Sequence, residues 1–203
     1  SNSLIAERIP VPGHIRSFAI DGKDIVLVTL LGDQPQIYRF DTQTAALEKL
    51  YTAPPFTLIE NLSVIAEGQW VASIYNPDDD QFNIALFTAN KDAIDIRQLT
   101  HDVRTQMYPF RMSDGNIGYV TEEYGDFKIH ALSPDGVNHR VLYSQRNGLA
   151  HPVQDVNGAI YYTDVTYEGM AIMRITPDRL NKDKGDSVLA DEEIGKINLE
   201  NYD

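Results

Sequence analysis

KIHALSPDGVNHRVL, residues 128–142, has the form of a strand, a tight turn and a second strand. Phe127, Ile129 and Ala131 alternate with Lys128 and His130, the period of a half-buried strand. Ser133-Pro134-Asp135-Gly136 is turn chemistry. Proline presets φ, aspartate bonds its own backbone, and glycine accepts φ > 0. A hairpin that occurs once says little about architecture; a hairpin that recurs in phase with other markers fixes it.

This one recurs. Strands similar to the one carrying Ile129 carry Ile37 (QIYRFD), Ile84 (NIALFT) and Ile172 (AIMRIT), at steps of 47, 45 and 43 residues. The strand after the turn, HRVLY with Leu142, has counterparts at Leu50, Leu99 and Leu189, at steps of 49, 43 and 47. Upstream, Asp21-Gly22, Glu67-Gly68, Asp114-Gly115 and Asn157-Gly158 place their glycines 46, 47 and 43 apart, each before a β-rich run. Such dipeptides between apolar runs are the strongest short hairpin signal. Three independent markers thus share a period near 45 residues. Four short strands per unit of that length is the pattern of a propeller blade, whose two faces are buried only by stacking on neighbours. The expected fold class is an all-β propeller of four-stranded antiparallel blades, with about four recognisable in the chain.

Units are expected at about 13–52, 56–100, 106–144 and 149–190. Ser1-Asn2-Ser3 reads as a remnant of tag cleavage, which would hide any removed leader or anchor. Residues 4–11 align with an outer strand, and two arrangements follow. They complete the fourth unit and residues 187–203 form a tail, which closes a small ring. Alternatively, Val188-Leu189 is that unit's own outer strand, the chain is part of a larger ring, and residues 191–203 are a tail or the start of a further strand.

Composition agrees with a folded β protein: 203 residues, 42% hydrophobic and 23% charged. The net charge of −13 argues against a nucleic-acid footprint and against an anionic membrane surface, and leaves basic partners or cations. With no cysteine, disulfides, thiol nucleophiles and cysteine-ligated metals are excluded together. No apolar run approaches the roughly 20 residues of a membrane span.

Two stretches carry a family resemblance. LFTANKDAIDIRQLTHD (86–102) resembles the end, and YPFRMSDGNIGYVTEEYGDFKIHALSPDGVNHRVL (108–142) the whole, of a TolB-type, WD-like β-propeller repeat. The fourth unit keeps His151-Pro152 and Asn157-Gly158 but departs at TPDRLNKDKGDS, and the first lacks the aromatic-proline start. The resemblance covers about residues 13–190. It implies a propeller acting outside the cytoplasm, in the periplasm or an equivalent compartment, and it says little about activity, because propellers host many.

Catalytic motifs are missing: there is no Gly-x-Ser-x-Gly, no phosphate loop and no Gly-x-Gly-x-x-Gly. None of His14, His101, His130, His139 and His151 stands at zinc-ligand spacing. His101 and His139 fall at turns, and His130 alternates out of the apolar pattern, so all three are expected in solvent. His151 reads as a structural corner residue and Trp70 as core or rim packing. Asn61-Leu62-Ser63 has sequon form but sits beside a strand. No cofactor or metal is expected, and the Asp78–Asp80 run lacks the glycine and distal glutamate of an EF-hand loop.

The candidate site is the set of turns between second and third strands. They contain Asp33, Asp78, Asp79, Asp80, Glu122, Glu123, Asp126, Asp164 and Glu168, with Tyr75, Tyr124 and Tyr167 recurring at steps of 49 and 43. One reading is an acidic, aromatic-dotted face that captures another protein or a cationic ligand. The plainer reading is solvated turns that keep sheet edges from aggregating. The expected function is a non-enzymatic, extracytoplasmic binding or scaffold module. Two alternatives stand beside it: the sensor portion of a membrane-anchored, ToxR-like transcriptional regulator, and the non-catalytic gating propeller of a prolyl-oligopeptidase-like enzyme.

Overall fold

In the computed structural model the described residues are 8–78, 80–90, 93–146, 148–167 and 169–180, with the backbone of 192–196. They form four four-stranded antiparallel sheets, each a meander in chain order, arranged as a four-bladed β-propeller. The first sheet holds β1 (His14–Asp21), β2 (Asp24–Leu31), β3 (Gln34–Asp41) and β4 (Leu47–Thr52). The second holds β5 (Leu58–Ala66), β6 (Gln69–Asn76), β7 (Gln81–Ala89) and β8 (Ile94–Gln98). The third holds β9 (Thr105–Arg111), β10 (Ile117–Glu123), β11 (Asp126–Leu132) and β12 (His139–Arg146). The fourth holds β13 (Ala150–Gln154), β14 (Ile160–Thr166), β15 (Gly169–Ile175) and β16 (Glu192–Lys196).

The fourth sheet's outer strand is therefore its own, at Glu192–Lys196 instead of in a tail, and it pairs antiparallel with β15. Residues 8–11 join no sheet. Ser1–Ser3, residues 4–7 and Val188-Leu189 lie outside the described residues.

Side chains alternate across each strand, so one strand feeds two cores. Trp70 packs with Val26, Val28 and Ile37 of the first sheet, whereas its neighbour Val71 packs with Ile117, Tyr119 and Leu132 of the third. A third core joins Val120, Ile129 and Leu142 to Ile160, Tyr162 and Ile175 of the fourth sheet. Each such side chain, fully buried, contributes about 1.5–3 kcal/mol. Packing runs in chain order from the first sheet to the fourth. Among the described residues no packing of similar extent joins the fourth sheet to the first. Phe18 and Ile20 on one end face, and Val165 and Met170 on the other, are exposed.

The turn glycines Gly22, Gly68, Gly115 and Gly158 all have φ between 62° and 86°, the left-handed region their recurrence implied. The turns also tie sheet to sheet. Asp21 Oδ2 accepts hydrogen bonds from Gly68 N at 2.9 Å and from Trp70 Nε1 at 2.8 Å. Gln154 Oε1 accepts one from Ser113 N at 2.7 Å. The Ser133–Gly136 turn is held from the second sheet, since Arg97 Nη1 donates to Asp135 O at 2.9 Å and Nη2 to Pro134 O.

Gly118 has a different reason to be glycine. A Cβ there would lie 2.2–2.6 Å from ring atoms of Phe110, which is itself buried in the third core. Gly118→Ala is expected to lower stability by about 1–3 kcal/mol through overpacking. Phe110→Leu, placed in the Gly118→Ala background, should recover part of that loss in equilibrium urea unfolding. An additive or worse double variant would show the ring is not the obstacle.

Candidate functional site

A four-stranded meander sends its second-to-third strand turns and its exits to the next sheet toward the same end. The four candidate turns therefore lie on one face of the propeller. Tyr124 and Tyr167 stand at equivalent tips of this face, 100% and 97% exposed, and Tyr124 takes φ 53°. Tyr75 differs: it is half-buried, its ring centroid lies 5.5 Å from that of Phe82, and its hydroxyl donates to Asp80 Oδ1 at 2.9 Å.

The carboxylates divide into several environments. Asp33 and Asp78 are exposed and form no ion pair among the described residues. Glu122 is exposed, and its Oε1 accepts a hydrogen bond from Gly125 N at 3.2 Å. Glu123 lies 3.4 Å from Arg104 Nη1 and 3.7 Å from Lys128 Nζ, and Asp126 lies 3.8 Å from Arg146 Nε. Asp164 sits within β14 and is buried. Asp79 and Glu168 lie outside the described residues. Charge on this face is thus partly balanced by neighbouring cations, and the exposed tyrosines are its distinguishing feature.

A second polar centre lies on the side of the third sheet that faces the second. His130, expected in solvent, is 2% exposed. Its Nδ1 is 2.7 Å from His139 Nε2, and its Nε2 is 2.9 Å from Thr121 Oγ1. His139 Nε2 is also 2.8 Å from Tyr119 Oη. His139, expected to be solvated, remains exposed but belongs to this chain of hydrogen bonds. The rings of His130, His139 and Tyr119 stack, with His130 and His139 centroids 4.7 Å apart at 14°. A single ring nitrogen of His139 lies within hydrogen-bond distance of two neighbours, so the four groups form one connected polar chain. Burial, with the positive neighbours Arg104 and Lys128 and the second imidazole, pushes His130 down to about 3. Burial, then Arg104, also lowers His139. Burial raises the Tyr119 phenol well above its ordinary value.

The signal for this pairing was present in the hairpin. Its register sets Leu132 opposite His139 and His130 opposite Val141, so the two histidines are diagonal neighbours on one face. Alternation at Ile129 and Ala131 marks one buried side of β11, and the side carrying His130 and Leu132 is buried as well. His101 is exposed, as expected, with Nδ1 3.1 Å from Gln98 Nε2. His151 packs its ring on Tyr108, centroids 4.7 Å apart. No cluster of three or more metal-ligating side chains occurs among the described residues. No helix among them is long and apolar enough to cross a membrane.

Solved structures show the same architecture. TolB from Acinetobacter baumannii superposes with a TM-score of 0.62 over 83% of this chain and 41% of its own, at 16% identity. The fold is a β-propeller. An oligogalacturonate lyase in complex with manganese matches with a TM-score of 0.62 at 13% identity, over 82% of this chain and 52% of its own. The β-propeller domain of the Trilobed protease from Pyrococcus furiosus, described as having an open velcro topology, matches with a TM-score of 0.51 at 12% identity, over 95% and 70%. The chain thus spans about two fifths and one half of the lengths of the first two. At these identities the likeness shows the fold alone. No family model and no curated protein matches the chain.

Proposed function

We propose that this TolB-like propeller is a non-catalytic, extracytoplasmic scaffold that binds a partner protein through the face carrying Tyr124 and Tyr167. The observation that carries the reading is that two bulky amphipathic side chains, at equivalent turns of one face, are almost wholly in solvent. Tyrosine in that setting offers contact area at low entropic cost and is enriched at interfaces. Asp33 and Asp78, exposed at the corresponding turns of the first two sheets, favour a partner with basic groups and speed its approach at low salt. The extracytoplasmic location follows the family resemblance. The sensor and gating-propeller readings place the same face in a longer protein.

A photo-crosslinking amino acid installed at Tyr124 should yield a discrete heteromeric adduct in cells. The same group at Val137, exposed on the third-to-fourth strand turn at the opposite end of the sheet, should not. Tyr124→Ser combined with Tyr167→Ser should abolish the adduct formed from Asp78 while changing stability by no more than about 0.5 kcal/mol. Identical adduct patterns from positions 124 and 137 would sink the assignment.

A further inference from the structure

Each sheet of a propeller has a leading face, turned to the sheet before it, and a trailing face, turned to the sheet after it. In the second sheet Val64, Trp70, Phe87 and Ile96 stand in one row across β5 to β8 and pack on the first sheet. The first sheet has the same apolar row beside its own first hairpin, where Ile20, Ile25, Phe40 and Leu47 are paired in register across β1 to β4. Val26, Val28 and Ile37, on the other side of that sheet, pack on the second sheet, so this row faces away from it. Ile20 is 69% exposed, and Phe18, on the same side of β1, is 62% exposed.

The fourth sheet is open in the complementary sense. Ile160 and Tyr162 pack on the third sheet, so Tyr161 and Val165, with Val153 and Met170 paired beside them, form its trailing face. Val153, Val165 and Met170 are exposed. Stacked repeats stay separate in solution when their terminal units carry polar outer faces, and here both outer faces are apolar. The two do not cover each other, since among the described residues no packing of similar extent joins the fourth sheet to the first. A leading face built like that of the second sheet takes a trailing face, and one chain supplies one of each. We infer that the trailing face of the fourth sheet docks on the leading face of the first sheet of a second copy, continuing the blade stack between chains. Such a contact is heterologous, with a different surface on each partner. It is separate from the tyrosine-bearing turns and does not depend on their role.

Sedimentation velocity of the full 203-residue chain tests this, at about 0.3 M salt to screen its net charge of −13. Concentration-dependent association is expected, with Kd on the order of 10 μM. Phe18→Asp with Ile20→Asp blocks the leading face, and Val153→Asp with Val165→Asp blocks the trailing face. Each double variant alone should stay monomeric to about 200 μM, more than tenfold above that Kd. Their equimolar mixture should recover a 1:1 dimer, because each keeps the face that the other lacks. Serine at the same four positions supplies a second set should aspartate disturb a sheet, and circular dichroism checks that every variant is folded. A parent chain that stays monomeric to about 200 μM overturns the inference and assigns the two faces to a different polypeptide. Folded variants that associate as the parent does, or a mixture that stays monomeric in both sets, overturn it too.

Discussion

Trp70→Ala lowers the free energy of unfolding by about 3–5 kcal/mol, the cost of emptying a large aromatic site in a packed core. Trp70 is 1% exposed and lies where the first two sheets meet, against Val26, Val28 and Ile37. Its indole also donates from Nε1 to Asp21 Oδ2, the aspartate that holds the backbone N–H of Gly68. One substitution therefore opens a cavity and loosens a tie between two turns. Trp70→Phe keeps most of the volume and loses the donor, so its cost should be smaller, about 1–3 kcal/mol. Because Trp70 is the chain's single tryptophan, urea unfolding is followed by far-ultraviolet circular dichroism instead of fluorescence. A Trp70→Ala variant within about 1 kcal/mol of the parent would mean that the sheet junction does not depend on this side chain.

Acid destabilises this propeller through His130. In the folded chain burial holds its pKa near 3, whereas the unfolded chain binds the proton near 6.5. Between those values the unfolded state carries the extra proton, so stability rises with pH and is lost as pH falls. The contribution is complete above about pH 6.5, falls by about 2 kcal/mol by pH 5, and reaches a limit of about 4–5 kcal/mol near pH 3. His139, shifted in the same direction, adds to the loss. Asp102, lowered chiefly by its hydrogen bond from Arg104, adds more at the acid end. The diagnostic comparison is His130→Gln, which keeps a polar side chain and removes the titration. The gap between parent and variant, measured by urea unfolding at pH 7.5, 6, 5 and 4, should narrow steadily as pH falls. A constant gap would show that His130 does not resist protonation in the fold.

The histidine pair shows where sequence reasoning stopped. The repeat was legible because its markers are local. Glycine at a left-handed turn, proline before it and apolar alternation along a strand each leave a trace within a few residues, as Gly22, Gly68, Gly115 and Gly158 do. Burial of His130 leaves no such trace. Period-two alternation names one apolar face, but an inner strand of a stacked blade is covered on both sides. The side facing the second sheet tolerates polar residues provided they bond one another, as Thr121, His130, His139 and Tyr119 do. The acidic turns divide for a related reason. Residue type counts nine carboxylates, while the tertiary structure puts Arg104 and Lys128 beside Glu123, and buries Asp164.

By itself the sequence determined the blade unit, its period, its turn chemistry and the face on which Tyr124 and Tyr167 stand, because all of these follow from short-range backbone preferences and strand alternation. Only the tertiary structure decided that Glu192–Lys196 is the fourth sheet's outer strand and that the packing runs from first sheet to fourth. It also decided that Gln106, Tyr119 and His139 line a cleft between the second and third sheets. Those outcomes depend on which surfaces meet across tens of residues, and the free energy of that meeting is written in shape and burial, which no local pattern encodes.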